Sequence, residues 1–448
     1  MEEGEGMTGT QVDRLALVGL AFVSAVAFGL LIRRRPVVGL VAFIGSVALV
    51  PYWMGVTVSW YFPPATAAAL LSAAALIGVG SLRLGLVDLC LAGVGGLVVL
   101  MYLAGFVGFG EVFDVLVAWG SAYLAGRILV SVLGGDAVYL WVSRAFVLVA
   151  VLGLLEAATR RNLFVELLAR GNSFYATWGP LQERGGLLRV EGAFGHSIAL
   201  GVSLALAIPF VLAARISSRA KAVGVTLVLA ATVLTLSRLG IACAVIALIL
   251  SLLVMTDRVQ PRIRRGLGVG LVAGAGLVLP FIAGVFSDAG DEASESADYR
   301  EQLTVLIPEM RFVGTSDALQ QTADGRAYFG AFRSIDSELI LIGLRFGIIV
   351  LVVLAALYVA ALVAAFRRPA NPGAIAVAAS LPALTSVAFI TQYTTFLWFV
   401  AGVAVTVGTL RSTEETTLFT GVRAGPSTEV RGSGQAGLQR LFVQGELT

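Results

Sequence analysis

The sequence predicts an all-α fold, a polytopic integral membrane helical bundle of about 12–14 transmembrane helices with two large extracytoplasmic loops. Three observations predict it. The 448 residues are 58% hydrophobic and only 13% charged, a balance that excludes a soluble globular domain of this length. Apolar runs of roughly 20 residues, long enough to cross a bilayer, recur along the chain. Short basic clusters lie in every second connection between these runs, as expected if the runs cross the membrane in alternating directions.

Thirteen candidate spans lie between residues 14 and 411, the predicted transmembrane domain. Around residues 105–137 the pattern also allows one or two spans more or fewer. The candidate spans are 14–32, 37–53, 65–81, 84–104, 112–132, 137–157, 197–214, 221–236, 239–256, 266–286, 338–365, 373–391 and 394–411.

The basic clusters set the predicted orientation, because short cytoplasmic loops carry an excess of Lys and Arg. If the spans alternate, one face receives Arg33–Arg35, Arg215 to Lys221, Arg258 to Arg265, and Arg367 with Arg368. The opposite, extracytoplasmic face then holds the N-terminus 1–13 and the outer loops 158–196 and 287–337. Residues 1–13 lack signal-peptide features, so we expect the first span to remain as an anchor. Residues 412–448, rich in Gly, Ser, Thr and Glu, are predicted to form a disordered cytoplasmic tail.

Several kinds of chemistry have no residues to support them. Cys90 and Cys243 lie in apolar runs, so neither a disulfide nor a metal site is predicted. The chain has no phosphate-cradling loop and no nucleophile with a base beside it. We therefore predict no metal, no cofactor and no nucleic-acid partner.

Four arginines lie on the predicted outer face, where orientation gives no reason for positive charge: Arg189, Arg238, Arg300 and Arg311. A guanidinium group is a forked, permanently charged donor that suits phosphate. Arg189 also precedes the glycine-rich start of a helix, whose free N–H groups favour an anion. The alternative for Arg238 is a helix-end arginine that reaches to lipid headgroups. These placements favour an anionic, lipid-linked substrate.

The start of the first outer loop is predicted to form a short helix at the membrane interface. Its apolar stripe consists of Leu163, Phe164, Leu167 and Leu168. The neighbouring arginines are interpreted as contacts to lipid headgroups; they are Arg160, Arg161 and Arg170.

Two carboxylates, Asp336 and Glu338, stand at the start of the eleventh span. A carboxylate near arginines can accept a proton from a sugar hydroxyl. The alternative is that Asp336 or Ser337 caps the helix. One residue can serve both purposes, so both interpretations stay open.

Other charged residues lie inside apolar runs. Arg345 and Arg144 are of this kind, and Asp88 and Asp114 are suitable partners for them, so structural pairing and function are both open. His196, the single histidine, is a candidate site residue, although a lone histidine is more often packed than catalytic.

Four segments between residues 180 and 365 together resemble the O-antigen ligase and Wzy-type polymerase family of bacterial envelope glycan enzymes. The order, spacing and shared outer placement of these short segments carry the resemblance. The segments are Arg189-Val-Glu-Gly-Ala-Phe-Gly-His196, Thr235-Leu-Ser-Arg-Leu-Gly240, Tyr299-Arg-Glu-Gln-Leu-Thr-Val-Leu-Ile-Pro308 followed by Phe312-Val-Gly314, and Asp336-Ser-Glu-Leu-Ile-Leu-Ile-Gly-Leu-Arg-Phe-Gly347.

The resemblance implies a GT-C-like fold and a metal-independent glycosyltransferase in the bacterial cell membrane, with its active site on the extracytoplasmic side. It implies that Arg189, Arg238 and Arg300 bind the diphosphate of an undecaprenyl-linked glycan, and that Asp336 and Arg238 are catalytic. His196, Glu338, Arg311 and Arg345 are further candidate site residues. Lipid-linked donor and acceptor glycans are the implied partners, with a chain-length regulator or flippase as an additional one.

The chain departs from the family pattern at two places. Ligases have His and Asn where this chain has Asp336 and Ser337, and the usual Pro-Asn after the first arginine motif is replaced by Gly195-His196-Ser197. An Asp at that position favours the polymerase branch. Transfer of finished glycan to another acceptor, as in a ligase, is the alternative. A lipid-linked glycan transporter or flippase is an alternative from a different class.

Overall fold

The computed structural model of the protein describes residues 9–57, 60–288, 299, 301–321 and 327–421. It is 74% helical, which confirms the mainly helical prediction. Strands in the described part are confined to three short antiparallel hairpins. The chain forms two units, Met1–Thr409 and Leu410–Thr448, and the described residues of the second, 410–421, are helical.

The helices follow the predicted spans closely. The longer ones in the first half are α1 Gly9–Arg34, α2 Pro36–Leu49, α3 Pro64–Leu76, α4 Leu86–Leu103, α5 Phe109–Val112 continued by a π-helix Phe113–Trp119 and by α6 Gly120–Leu133, and α7 Gly135–Thr159. The first outer loop carries α8 Leu163–Leu167 and α9 Ser173–Trp178. The remaining helices are α10 Ser197–Ala213, α11 Ser218–Leu234, α12 Arg238–Val254, α13 Pro261–Asp288, α14 Glu338–Phe346, α15 Ile348–Ala365, α16 Pro372–Ala379, α17 Leu381–Ser386 and α18 Thr391–Gly421.

Within the described residues, five helices are long and apolar enough to cross a membrane. They are Leu86–Leu103, Phe109–Leu133, Gly135–Thr159, Pro261–Val285 and Ile348–Ala365. Five further apolar helices are shorter; they are Pro36–Leu49, Pro64–Leu76, Ser197–Ala213, Arg238–Val254 and Pro372–Ser386. A membrane-embedded helical protein is therefore supported, and the count of about 12–14 spans stays a prediction.

The strands and short 3-10 helices lie in the connections. The strands are β1 Val56–Thr57, β2 Tyr61–Phe62, β3 Glu183–Arg184, β4 Leu187–Leu188, β5 Leu319–Gln321 and β6 Ala327–Phe329. They pair as β1 with β2, β3 with β4 and β5 with β6. The 3-10 helices are Tyr52–Met54, Gly192–Phe194 and Leu303–Glu309.

Several predicted boundaries differ from the structure. The predicted span 338–365 is broken at Gly347 into α14 and α15. The predicted span 373–391 is divided into α16 and α17, and residues 387–390 are not helical. The last helix continues ten residues past the predicted end at 411, to Gly421. The disordered tail stays a prediction for 422–448, which lie outside the described residues.

Helix α10 is the centre of the bundle. Its residues are buried except for Ile198, and it packs against α7, α11, α12 and α16. Burial on all sides explains why this helix is apolar around its whole circumference instead of along one stripe. The loop before α10 is therefore attached to a helix that is packed on all sides.

Contacts between connections define two ends of the bundle. At one, which we call the loop end, Trp53 Nε1 donates to Leu168 O at 2.7 Å and the backbone N of Thr315 donates to Phe106 O at 2.9 Å. The loop end therefore holds both large polar segments. At the opposite end, which we call the basic end, Asp136 forms ion pairs with Arg215 at 2.7 Å and with Arg258 at 2.8 Å.

Two glycines let α10 and α12 approach closely at the loop end. A Cβ atom added to Gly240 would lie 2.9 Å from the Cα of Gly201, closer than backbone can accept. We expect Gly240→Ala to lower the free energy of unfolding by about 1–3 kcal/mol, as overpacking does. Gly266→Ala in α13 is the matched control, because a Cβ there meets nothing within 4 Å. Thermal unfolding of the detergent-purified variants measures both, and equal midpoints would contradict the predicted close packing.

Candidate functional site

Arg189 lies just after the β3–β4 hairpin and is almost completely buried, with 6% of its surface exposed. Its Nε donates to Thr235 O at 3.2 Å, and its Nη1 donates to Gln182 Oε1 at 3.1 Å. Its backbone N also donates to Gln182 O at 2.9 Å. The side chain is therefore fixed against two separate segments of the loop end.

The segment around Arg238 meets the Arg189 segment directly. The backbone N of Val190 donates to Leu234 O at 3.2 Å, and Arg184 Nη1 donates to Leu236 O at 3.1 Å. Arg238 itself is the first residue of α12, and its side chain is exposed. The structure thus brings together the first two arginine-bearing segments that the sequence singled out.

The N-termini of α10 and α12 both lie next to the Arg189 segment. Ser237 caps α12 by accepting from the backbone N of Gly240 at 3.1 Å. The Ser197 hydroxyl at the start of α10 donates to Gln182 Oε1 at 3.4 Å, the atom that also binds Arg189. Because helix N-termini carry partial positive charge, their dipoles add to the arginines in favouring an anion.

A buried carboxylate on α7 holds the loop that carries Arg189. Glu156 accepts from the backbone N of Glu191 at 3.0 Å, the backbone N of Gly192 at 2.9 Å and Asn162 Nδ2 at 3.0 Å. Asn162 also donates to Gly192 O at 3.0 Å and caps α8. The predicted short helix at 163–168 is confirmed, and its cap doubles as a support for the site.

Gln392 supports the same loop from the other side. Its Nε2 donates to Ala193 O at 2.8 Å and to Val50 O at 2.9 Å. Sequence reasoning missed Glu156, Gln182 and Gln392. Glu156 and Gln392 bind backbone groups of distant segments, and Gln182 binds the side chains of Arg189 and Ser197, so their roles depend on the folded structure. The one local signal was a carboxylate, Glu156, near the end of an apolar run.

His196 is a neutral capping residue. Its Nδ1 accepts from the backbone N of Ile198 at 3.2 Å, and its ring packs edge-on against Trp178 at 6.0 Å. Burial and the positive charge of Arg189 lower the pKa of His196 to about 4. It is therefore uncharged at neutral pH, as expected for a packed histidine.

Asp336 and Glu338 differ in environment. Asp336 is half-buried and accepts from the Ser334 hydroxyl at 2.8 Å. Glu338 is buried and accepts from the backbone N of Phe389 at 2.6 Å. Ser337, not Asp336, caps α14, by accepting from the backbone N of Ile340 at 3.4 Å, so Asp336 is not needed as a cap.

Arg345 is held in a salt-bridge cluster. Its Nη2 lies 2.7 Å from Asp114 Oδ2 and 3.0 Å from Glu111 Oε1. Asp88 pairs instead with the buried Arg127 at 2.8 Å. These contacts support structural ion pairing as the role of Arg345, Asp114 and Asp88.

The remaining candidates contact other residues or lie outside the described part of the chain. Arg311 is exposed and paired with Asp317, and Arg144 is exposed with its guanidinium 5.3 Å from the Trp141 ring centroid. Arg300 lies outside the described residues. The Arg189 loop and Glu338 are connected through segment 389–392, since Gln392 binds Ala193 and Phe389 binds Glu338.

Among the described residues, no group of three or more His, Cys, Asp or Glu side chains is placed to hold a metal ion. Comparison of the chain with protein-family models, with curated proteins and with solved structures gave no match.

Proposed function

We propose that the protein is a membrane glycosyltransferase that polymerises undecaprenyl-diphosphate-linked repeat units into envelope or exported polysaccharide. One observation carries the proposal: the segments of Arg189 and Arg238 meet at the N-termini of α10 and α12. Two arginines and two helix dipoles at one place suit a ligand with two adjacent phosphates. We call this the diphosphate site.

The proposed reaction uses a substrate that is already activated. A hydroxyl oxygen of the incoming unit attacks the anomeric carbon of the growing glycan, and the bond from that carbon to the diphosphate oxygen breaks. Arg189 and Arg238 stabilise the charge that develops on the departing diphosphate, an effect worth about 3–4 kcal/mol per preorganised donor in other enzymes. The hydroxyl proton passes to a carboxylate, for which half-buried Asp336 is the proposed acceptor. Metal and cofactor have no part in this scheme.

The proposed orientation follows from charge. The basic end, with Arg215 and Arg258, faces the cytoplasm of a bacterial cell, and the loop end faces outward. The diphosphate site is then extracytoplasmic, within reach of two lipid-anchored glycans. A GT-C-like architecture and a partner flippase or chain-length regulator belong to the same proposal.

Glycan analysis of a deletion strain tests this function. We expect single repeat units to accumulate on the carrier lipid, because loss of a polymerase stops chain growth. Complementation with the wild-type chain should restore long polymer. Long chains stranded on the carrier would instead indicate a ligase, and an unchanged glycan profile would contradict both activities.

A broken helix supports a second candidate, a lipid-linked glycan transporter. The polypeptide between Pro372 and Thr391 forms α16, α17 and a non-helical stretch at 387–390, and transporters commonly use discontinuous helices at their substrate sites. Reconstituted vesicles separate the two functions. Movement of the lipid-linked unit without any change in glycan length would favour transport.

A further inference from the structure

Two buried carboxyl groups lie behind the diphosphate site, and their surroundings differ sharply. Glu156 receives three N–H donors, which is what a buried ionised carboxylate needs. Glu191 is completely buried and receives one long bond, from the backbone N of Gln182 to its Oε1 at 3.3 Å. Its Oε2 is buried without a hydrogen-bond partner among the described residues. The geometry therefore favours a neutral Glu191.

Gln182 contacts both Glu191 and Arg189. Gln182 binds the Arg189 guanidinium through its side-chain oxygen and the Glu191 carboxyl through its backbone N. The two residues lie two positions apart in the chain, so their side chains reach Gln182 together. A negative charge on Glu191 would therefore interact electrostatically with the Arg189 guanidinium.

Within the described part of the chain, four charged or titratable groups lie around Glu191: Glu156, Arg189, His196 and Arg238. Glu156 faces it from α7 and opposes its ionisation, and Arg189 on the adjoining segment favours ionisation. His196 at the start of α10 is neutral. From the α11–α12 connection, Thr235 presents its carbonyl oxygen to Arg189, and Arg238 is exposed.

We propose that Glu191 is a positioning residue: the neutral carboxyl adds no negative charge beside Arg189, and ionisation of Glu191 weakens the binding of the diphosphate at Arg189. This inference rests on the proposed function. Glu191 does not need to contact the substrate, which agrees with its complete burial. It acts through Arg189 by supplying or withholding a neighbouring negative charge.

The direction of the pH effect follows from the titration of Glu191. Burial, with a contribution from Glu156, raises the pKa of Glu191 to about 8. Below that value the carboxyl is neutral and diphosphate binds well; as the pH rises through it, Glu191 ionises and affinity falls. Without Glu191, the affinity should rise with pH or stay level. Phosphate groups gain negative charge up to a pH of about 6–7, and arginine stays charged throughout.

The test is the affinity of the purified full-length protein, in lipid nanodiscs, for undecaprenyl diphosphate from pH 6.5 to 9.5. We expect wild-type binding to weaken about tenfold across this range, the effect of one nearby charge at partial solvent screening. Glu191→Gln, which cannot ionise, should lose the alkaline weakening and bind more tightly than wild type at pH 9.5. Glu183→Gln, on the exposed side of the same hairpin, is the matched control and should keep the wild-type profile.

The outcomes separate the two levels of the proposal. Absence of diphosphate binding at every pH would overturn the proposed function and this inference with it. Binding that is level with pH in the wild type, or that weakens equally in Glu191→Gln, would overturn the role of Glu191 alone. Even if the Glu191 variant does not fold, a wild-type affinity that is level with pH would overturn the role of Glu191.

Discussion

Replacing Arg189 by alanine is expected to reduce polymer synthesis about 100- to 1,000-fold, the usual effect of removing one preorganised donor to a developing negative charge. Arg189 is fixed by Thr235 and Gln182, so its guanidinium is already oriented before substrate binds. The polymer made by a complemented deletion strain measures the effect. Protein amount in the membrane must be compared in parallel.

Two further variants define the Arg189 result. Arg189→Lys should also be defective, because an ammonium group cannot span Thr235 and Gln182 as a planar fork does. Arg311→Ala is the matched control: Arg311 is an exposed loop-end arginine paired with Asp317, and we expect normal polymer. Normal polymer from a stably expressed Arg189→Ala protein would contradict a role for this residue in diphosphate binding.

The second large effect is on stability. Glu156→Ala removes one acceptor and leaves three buried N–H donors without their partner, those of Glu191, Gly192 and Asn162. Each unsatisfied donor costs about 1–3 kcal/mol, so we expect a loss of about 3–5 kcal/mol in the free energy of unfolding. Thermal unfolding of the purified protein measures it.

Glu166→Ala is the control for Glu156→Ala. Glu166 lies near the same loop but pairs with Arg161 on the surface, at 2.5 Å. Exposed ion pairs contribute little to stability because solvent screens them, so this variant should unfold close to the wild-type temperature. Similar destabilisation by both variants would show that the Glu156 contacts are not what holds the loop.

The positions of most helices could be predicted, because bilayer-length apolar runs leave few alternatives. The predicted segment 239–256 corresponds to Arg238–Val254, and 37–53 corresponds to Pro36–Leu49. Hydropathy averages over many residues, so it could not resolve the division between α16 and α17. The division falls at Ser380, and α17 then begins with Pro382 in its first turn, where the missing N–H of proline costs no helical hydrogen bond. The non-helical stretch beyond α17 is held by the tertiary contact of Phe389 with Glu338.

The candidate site was predictable in part. Charge on the unexpected face identified Arg189 and Arg238, and the structure brings their segments together. Charge alone could not separate them from Arg345, whose contacts with Glu111 and Asp114 lie more than 200 residues away in sequence. The protonation state of Glu191 could not be predicted from the sequence either, because it depends on burial and on how few N–H donors reach its carboxyl.

The most direct test of the diphosphate site compares two ligands on the same purified protein. Undecaprenyl diphosphate and undecaprenol share the lipid and differ in the charged headgroup, so their affinity ratio isolates the headgroup contribution. We expect the diphosphate to bind about 10- to 100-fold more tightly to the wild type, and most of that advantage to disappear in Arg189→Ala and in Arg238→Ala. Equal affinity of the wild type for both lipids, or an advantage that survives both substitutions, would contradict the diphosphate site.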